Sequence, residues 1–192
     1  MAEGVPAMAR PTYDDNSTPT IVNTEVATGA IQWQADLAAA PLALALDRSS
    51  QIVIKGMIRP PQLAVALHNQ DVVVLNLNDG SILKTFSSRY GKSTIRTSSM
   101  AFGDGPGKPL WTVGTRYTAD AENRTVTSVS AWDVVRGKRV ATAEVRGQIV
   151  SSGWNAWGTQ LATIRHIDTT ALSQKRLPWS FHLWDIKIGR TK

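Results

Sequence analysis

One turn recurs four times along this chain, and that recurrence limits the folds open to it more than any other feature. "TEVATGAI" (24–31), "LNLNDGSI" (75–82), "WDVVRGKR" (132–139) and "WDIKIGRT" (184–191) each set Glu25, Asn76, Asp133 or Asp185 four residues ahead of Gly29, Gly80, Gly137 or Gly189. An apolar residue, Val26, Leu77, Val134 or Ile186, follows the acid or amide in every copy, and the glycines are spaced by 51, 57 and 52 residues. A near-constant period of this kind marks one supersecondary unit used repeatedly. Its local chemistry is that of a hairpin: the acid or amide at the strand end accepts hydrogen bonds from turn amides, and glycine supplies the positive φ of the reversal. The flanking runs "DVVVLNL", "TSVSAW" and "ILKTF" carry the β-branched and large apolar residues of strands. No segment keeps a long helical period, and "LAAAPLALAL" is interrupted by Pro41. The chain reads as all-β.

The third and fourth turns are each preceded by two more strand-like runs. The third unit is expected at 94–102, 109–115, 126–132 and 138–145, and the fourth at 148–154, 160–166 and 180–186. Four strands per period make the four-stranded antiparallel meander of a β-propeller blade. With "WD" at 132–133 and 184–185, and "SSGWNAWGTQLATI" ahead of the last copy, residues 20–192 resemble the WD-repeat family. Gly-His is absent, since His68, His166 and His182 all follow other residues, and the period exceeds the family's usual length of about 40 to 45. The resemblance implies an incomplete WD-like propeller of about three to four blades. It also implies a non-catalytic protein-interaction scaffold. The last unit lacks its outermost strand; resembling proteins close their rings with a strand from the other terminus, a role open here to "AIQWQADL" (30–37). Between 37 and 75 the sequence offers one strand too many. An unclosed edge would invite self-association. "EVATGAIQW" (25–33) resembles the Thr-Gly-x-x-x-Trp repeat end of quinoprotein dehydrogenases, which implies that Trp33 docks adjacent blades.

Composition sets the remaining bounds. With 192 residues, 42% of them hydrophobic and 19% charged, the chain can bury a core. The polar, proline-flanked stretch 1–19 reads as a flexible tail and 20–192 as one domain. No apolar run approaches the roughly 20 residues of a membrane-spanning helix, and no membrane partner is expected. The N-terminal stretch shows neither basic leader nor apolar signal core, and the chain has no cysteine. An intracellular, cytoplasmic location is expected, with the nucleus left open. The glycosylation patterns at Asn16 and Asn123 therefore read as chance. Net charge is +6, but residues 1–36 hold one Arg against five acids, whereas residues 37–192 hold twenty Lys and Arg against ten acids. A basic body favours an acidic protein surface or nucleic acid, and it also serves solubility.

Catalytic patterns fail one by one. "FSSRYGKST" (86–94) ends like a phosphate-binding loop, but Phe86 replaces the first glycine and a strand pattern follows where a helix is required. The three histidines lack metal-ligand spacing. Asp14-Asp15 lies in the tail, and Ser98-Ser99 and Ser151-Ser152 sit on inner strands where small residues fit. No enzyme activity, cofactor or metal is expected. Trp111, Trp132, Trp154 and Trp184 read as packing residues, leaving Trp157 and Trp179, both at turns, as contact candidates.

Successive connections in a meander alternate ends. The glycine turns thus share one side, and the second-to-third-strand and blade-to-blade loops share the other. "RYTADAENR" (116–124) and "DTTALSQKRLPW" (168–179) are long loops of that second side, where binding usually resides. The expected binding set is Arg89, Tyr90, Lys92, Arg116, Tyr117, Arg124, Arg146, Lys175, Arg176 and Trp179. Lys138, Arg139 and Arg190 fall beside the glycine turns instead. Another protein is the favoured partner, with nucleic acid or another anionic ligand as the alternative.

Overall fold

The computed structural model describes residues 18–47, 60–89, 93–103, 108–117, 125–166 and 179–186, with the backbone of two short strands at 53–54 and 57–58. β1 (Thr20–Thr24) and β2 (Ile31–Asp36) form a hairpin. β3 (Pro41–Leu46) is followed by a minor hairpin of β4 (Val53–Ile54) and β5 (Met57–Ile58). β6 (Gln62–Leu67), β7 (Asp71–Asn76) and β8 (Ile82–Ser87) then complete a first sheet ordered β3-β6-β7-β8. β9 (Thr94–Phe102), β10 (Leu110–Tyr117), β11 (Thr125–Asp133) and β12 (Lys138–Arg146) form the second sheet in sequence order. β13 (Gln148–Trp154), β14 (Gln160–His166) and β15 (Trp179–Asp185) form a three-stranded third sheet. Every pairing is antiparallel, and no helix occurs among the described residues.

The repeated turn is real at bond level. The amides of Gly29, Gly80 and Gly137 donate to the carbonyls of Glu25, Asn76 and Asp133 at 2.8, 2.9 and 2.8 Å. The side chains of the acid or amide act as expected: Asn76 Oδ1 accepts from the Asn78 amide at 3.0 Å and Asp133 Oδ1 from the Arg136 amide at 3.1 Å. Gly189, the fourth copy, lies outside the described residues, as do residues 1–17 of the expected tail.

Two expectations are corrected. The surplus strand between 37 and 75 is the minor β4–β5 hairpin, whereas "PLALAL" is the strand that joins the sheet, with Pro41 at its first position, where no ladder donor is required. The N-terminal "AIQWQADL" does not complete the third sheet. It forms β2, pairs only with β1 and covers the first sheet.

Strand patterns follow from having neighbours on both faces. β6 is buried at every position: Leu63, Val65 and Leu67 pack toward the β1–β2 hairpin, while Ala64 and Ala66 pack toward the second sheet. Three apolar layers result. Ile21, Trp33 and Leu37 lie over Leu63, Val65 and Leu75. Val72, Val74 and Phe86 meet Met100, Leu110 and Trp132. Val113 and Val129 meet Ile149 and Leu161. Each such side chain contributes about 1.5–3 kcal/mol on burial. The first strands, β3, β9 and β13, run side by side and align the sheets around a common centre.

Candidate functional site

The described members of the expected binding set stand at the end of their own sheet opposite its glycine turn, although the Arg89 backbone meets Arg139 beside the glycine turn of the second sheet. Arg116 and Tyr117 end β10, Arg146 ends β12, Trp179 opens β15 and Arg89 follows β8, all at the same end of their sheets. Tyr90, Lys92, Arg124, Lys175 and Arg176 lie outside the described residues. Tyr117 and Trp179 are about half exposed, and Trp179 meets the His166 ring edge-on at 5.0 Å between centroids. Arg116 is tied down: its Nε and Nη2 donate to the two carboxylate oxygens of Glu144 at 3.0 and 2.7 Å, and Nη1 approaches Ser93 Oγ at 3.5 Å. The bidentate fork fixes the guanidinium and cancels its charge. Beside it lies a cleft of about 250 Å³ lined by Arg96, Thr115, Tyr117, Gln148 and Val150. Sequence reasoning missed Arg96 and Gln148, which stand at ordinary exposed strand positions and carry no motif.

Arg139 departs from its expected place. Although it begins β12 beside a glycine turn, its guanidinium lies 4.6 Å from the Trp132 ring centroid and donates through Nη2 to the carbonyls of Ser88 and Arg89, at 3.0 and 2.7 Å. It therefore braces the backbone at Arg89 across two sheets. Reversing its charge would disturb packing as well as the turn side.

Arg165 was also missed, although its position is legible: Leu161, Thr163 and Arg165 alternate onto the buried face of β14. Only 4% exposed, Arg165 donates to the Arg146 carbonyl at 2.6 Å and to His182 Nε2. Burial lowers its pKa, and burial together with the Arg165 charge holds His182 below the ordinary histidine value of 6.5. His182 must be neutral to accept this bond. The unfolded chain therefore takes up the proton first, and stability present above pH 6.5 falls as pH drops below that value. Because His182 is largely exposed, the loss is small. Thermal melts between about pH 7 and pH 5 should show a decline that flattens in His182→Gln.

The catalytic look-alikes resolve structurally. Phe86 is buried in β8, and β9 follows the "FSSRYGKST" segment, so the helix N-terminus a phosphate loop needs is replaced by a strand. Ser99 and Ser152 share a hydrogen bond of 2.7 Å, and Trp154 Nε1 donates to Ser99 Oγ at 3.1 Å, joining β9 to β13. Among the described residues no group of three or more His, Asp or Glu is arranged to hold a metal.

No protein-family model and no curated protein matches the chain. Solved structures do. The WD40 domain of Toxoplasma gondii coronin matches with a TM-score of 0.50 at 12% identity, over 78% of this chain and 35% of that one. This chain is a segment of a β-propeller. A europium-containing methanol dehydrogenase (TM-score 0.47, 15% identity, 76% of this chain and 36% of that one) and BamB from Moraxella catarrhalis (0.39, 13%, 78% and 58%) also match. The propeller segment thus spans about a third of the coronin chain it resembles. In propeller terms β3, β9 and β13 are inner strands, β2, β8 and β12 outer strands, and the two WD copies share one device. Trp132 Nε1 donates to Thr112 Oγ1 and Trp184 Nε1 to Thr163 Oγ1, both at 3.0 Å, each across the same strand pair of its blade. Trp33 docks blades as its motif implies, with Nε1 donating to the Leu77 carbonyl at 2.7 Å.

Proposed function

We propose that this propeller segment is a non-catalytic, intracellular interaction module that holds a partner protein on the rim of Arg89, Arg116, Tyr117, Arg146 and Trp179. One observation supports the reading: Leu42, Arg96 and Gln148, from the first strands of three sheets, line one cleft together with Tyr117. Long loops on a fixed scaffold suit recognition, and an exposed Tyr and Trp supply contact area at low entropic cost. The Arg116–Glu144 pair weighs against phosphate recognition, because a guanidinium already forked by a carboxylate has less to offer a second anion.

A photo-crosslinking residue placed at Tyr117 or Trp179 should trap the same protein in cells, and one placed at exposed Ile82 or Val135 on the glycine-turn side should not. The pair Arg116→Glu and Arg146→Glu should abolish that product while far-ultraviolet circular dichroism stays unchanged. Equal trapping from both sides would end the rim assignment. Tight oligonucleotide binding that weakens steeply with salt would point to phosphates instead.

A further inference from the structure

The inner strands β3, β9 and β13 share one irregularity of pairing. Each skips a residue where it meets the second strand of its sheet. Leu42 falls between the pairs Pro41–Leu67 and Ala43–Ala66, Ser98 between Thr97–Gly114 and Ser99–Val113, and Val150 between Ile149–Arg165 and Ser151–Ile164. The three places are equivalent: Leu63, Leu110 and Leu161 face Leu75, Trp132 and Trp184, and the skip lies between the third and fourth residues beyond each leucine. A β-bulge leaves its extra residue unpaired and bends the strand, which re-aims the side chains around it. In β9 the approach is close enough to need a glycine opposite, since a Cβ at Gly114 would run into the Arg96 carbonyl. Leu42, Ser98 and Val150 all line the Tyr117 cleft. Three bulges from three sheets therefore open on one space.

Register also identifies what the bulges present. Arg96 stands two residues before Ser98 and Gln148 two residues before Val150; both are exposed and both line the cleft. Adjacent blades thus offer a guanidinium and a carboxamide from matching positions. The charge of Arg96 is unspent. Arg116 is forked by Glu144 and Arg165 donates to the Arg146 carbonyl, whereas the Arg96 side chain makes no hydrogen bond or ion pair with any described residue. Among the described residues no Asp or Glu lines the cleft. At about 250 Å³ the cleft is smaller than the roughly 300–1,000 Å³ of small-molecule and cofactor pockets. It has room for one or two side chains of a bound protein.

We propose that this cleft is the anchor point of the rim and takes a carboxylate side chain, Asp or Glu, of the partner protein, forked by Arg96 and hydrogen-bonded by the Gln148 carboxamide. The inference rests on the rim reading above and adds the chemistry of what enters it. A carboxylate matches the planar fork of a guanidinium. Nucleic acid fits less well, because a phosphate backbone rewards a row of free cations and the cleft offers one.

A display library of random peptides, panned against the full chain, supplies the probe. Peptides trapped by a photo-crosslinking residue at Tyr117 or Trp179 are those bound at the rim. An Asp or Glu should recur among them at one position, and changing it to Asn or Gln should weaken binding by about tenfold or more. On Arg96→Gln the same peptide change should cost less than about twofold, because the group it meets is gone. On Lys138→Gln, which removes an equal charge from the glycine-turn side, it should keep its full cost. Arg96→Lys should recover only part of the preference, since an ammonium lacks the fork. Arg96 and Lys138 are both exposed, and circular dichroism checks the fold. Rim-bound peptides with no shared acid, or an acid whose removal costs the same on the unaltered chain and on Arg96→Gln, would overturn the carboxylate and leave the rim in place. Peptides trapped only from Ile82 or Val135, or no bound peptide at all, would remove the rim and the cleft together. Oligonucleotide binding that is lost in Arg96→Gln would assign the cleft to phosphates and overturn the proposal.

Discussion

Replacing Trp33 with alanine is expected to lower the thermal midpoint by roughly 6–20 °C, taking about 3–5 kcal/mol for a buried Trp→Ala change and about 2–4 °C per kcal/mol at this chain length. Trp33 is 8% exposed and is the largest side chain joining the β1–β2 hairpin to the first sheet, where it packs with Leu63, Val65 and Leu75. Its removal opens that layer and orphans the Leu77 carbonyl, which now accepts from Nε1. Trp33→Phe keeps most of the ring and loses the bond, so it should cost less. Gly80→Ala tests the same contact from the other side. At φ +73° a Cβ is strained, and it would lie 2.6 Å from Trp33 Cε3. Because both changes loosen one contact, the double variant should be less destabilised than the sum of the singles. Strict additivity in urea titrations would mean that the ring and the turn act separately.

The turn at Gly80 also shows why this fold was legible. Asn76, Leu77 and Gly80 specify a reversal through local chemistry, and the same chemistry at Glu25 and Asp133 gives the same bond. The strands that flank the Gly137 turn, expected at 126–132 and 138–145, were found to within one residue at each end because their alternation is anchored there. Where no repeated turn anchors the pattern, between 37 and 75, "PLALAL" and "QIVIKGM" look equally strand-like. Sheet pairing selected the first, a long-range choice that local propensity does not encode. The role of "AIQWQADL" was hidden for a similar reason. Its residues say that it is a strand with a docking Trp, but which sheet it joins depends on whether β1 or β15 lies nearer.

The rim was legible as a place and much less so as a charge distribution. Alternation of connections put Arg89, Arg116, Tyr117, Arg146 and Trp179 at one end of the sheets. Counting cations could not show that Glu144, 28 residues from Arg116, stands on the neighbouring β11–β12 hairpin within bidentate reach. Nor could it show that Arg139 turns away from its own loop to hold Ser88 and Arg89. Both outcomes follow from strand twist and cross-strand register, which carry a long side chain several residues from its sequence neighbourhood.

The two WD copies allow a sharper comparison, because one motif sits in two environments. Trp132 is 3% exposed, lies 5.2 Å from the Phe86 ring between centroids and is covered by the Arg139 guanidinium at 4.6 Å. Trp184 makes the same bond to its Thr but is only partly buried, on a strand with no outer neighbour among the described residues. Trp→Phe removes the shared hydrogen bond while keeping a ring, so both copies should lose a similar amount, about 1 kcal/mol. Trp→Ala removes the packing too, and here the copies should separate. Trp132→Ala is expected to cost about 3–5 kcal/mol, since the cavity opens between two complete blades that cannot collapse onto it. Trp184→Ala should cost about 1–2 kcal/mol, because water already reaches its surroundings and the third sheet can shift. Urea titrations followed by far-ultraviolet circular dichroism measure all four variants without relying on Trp fluorescence. Equal Trp→Ala losses at 132 and 184 would show that the third sheet is held as firmly as the second.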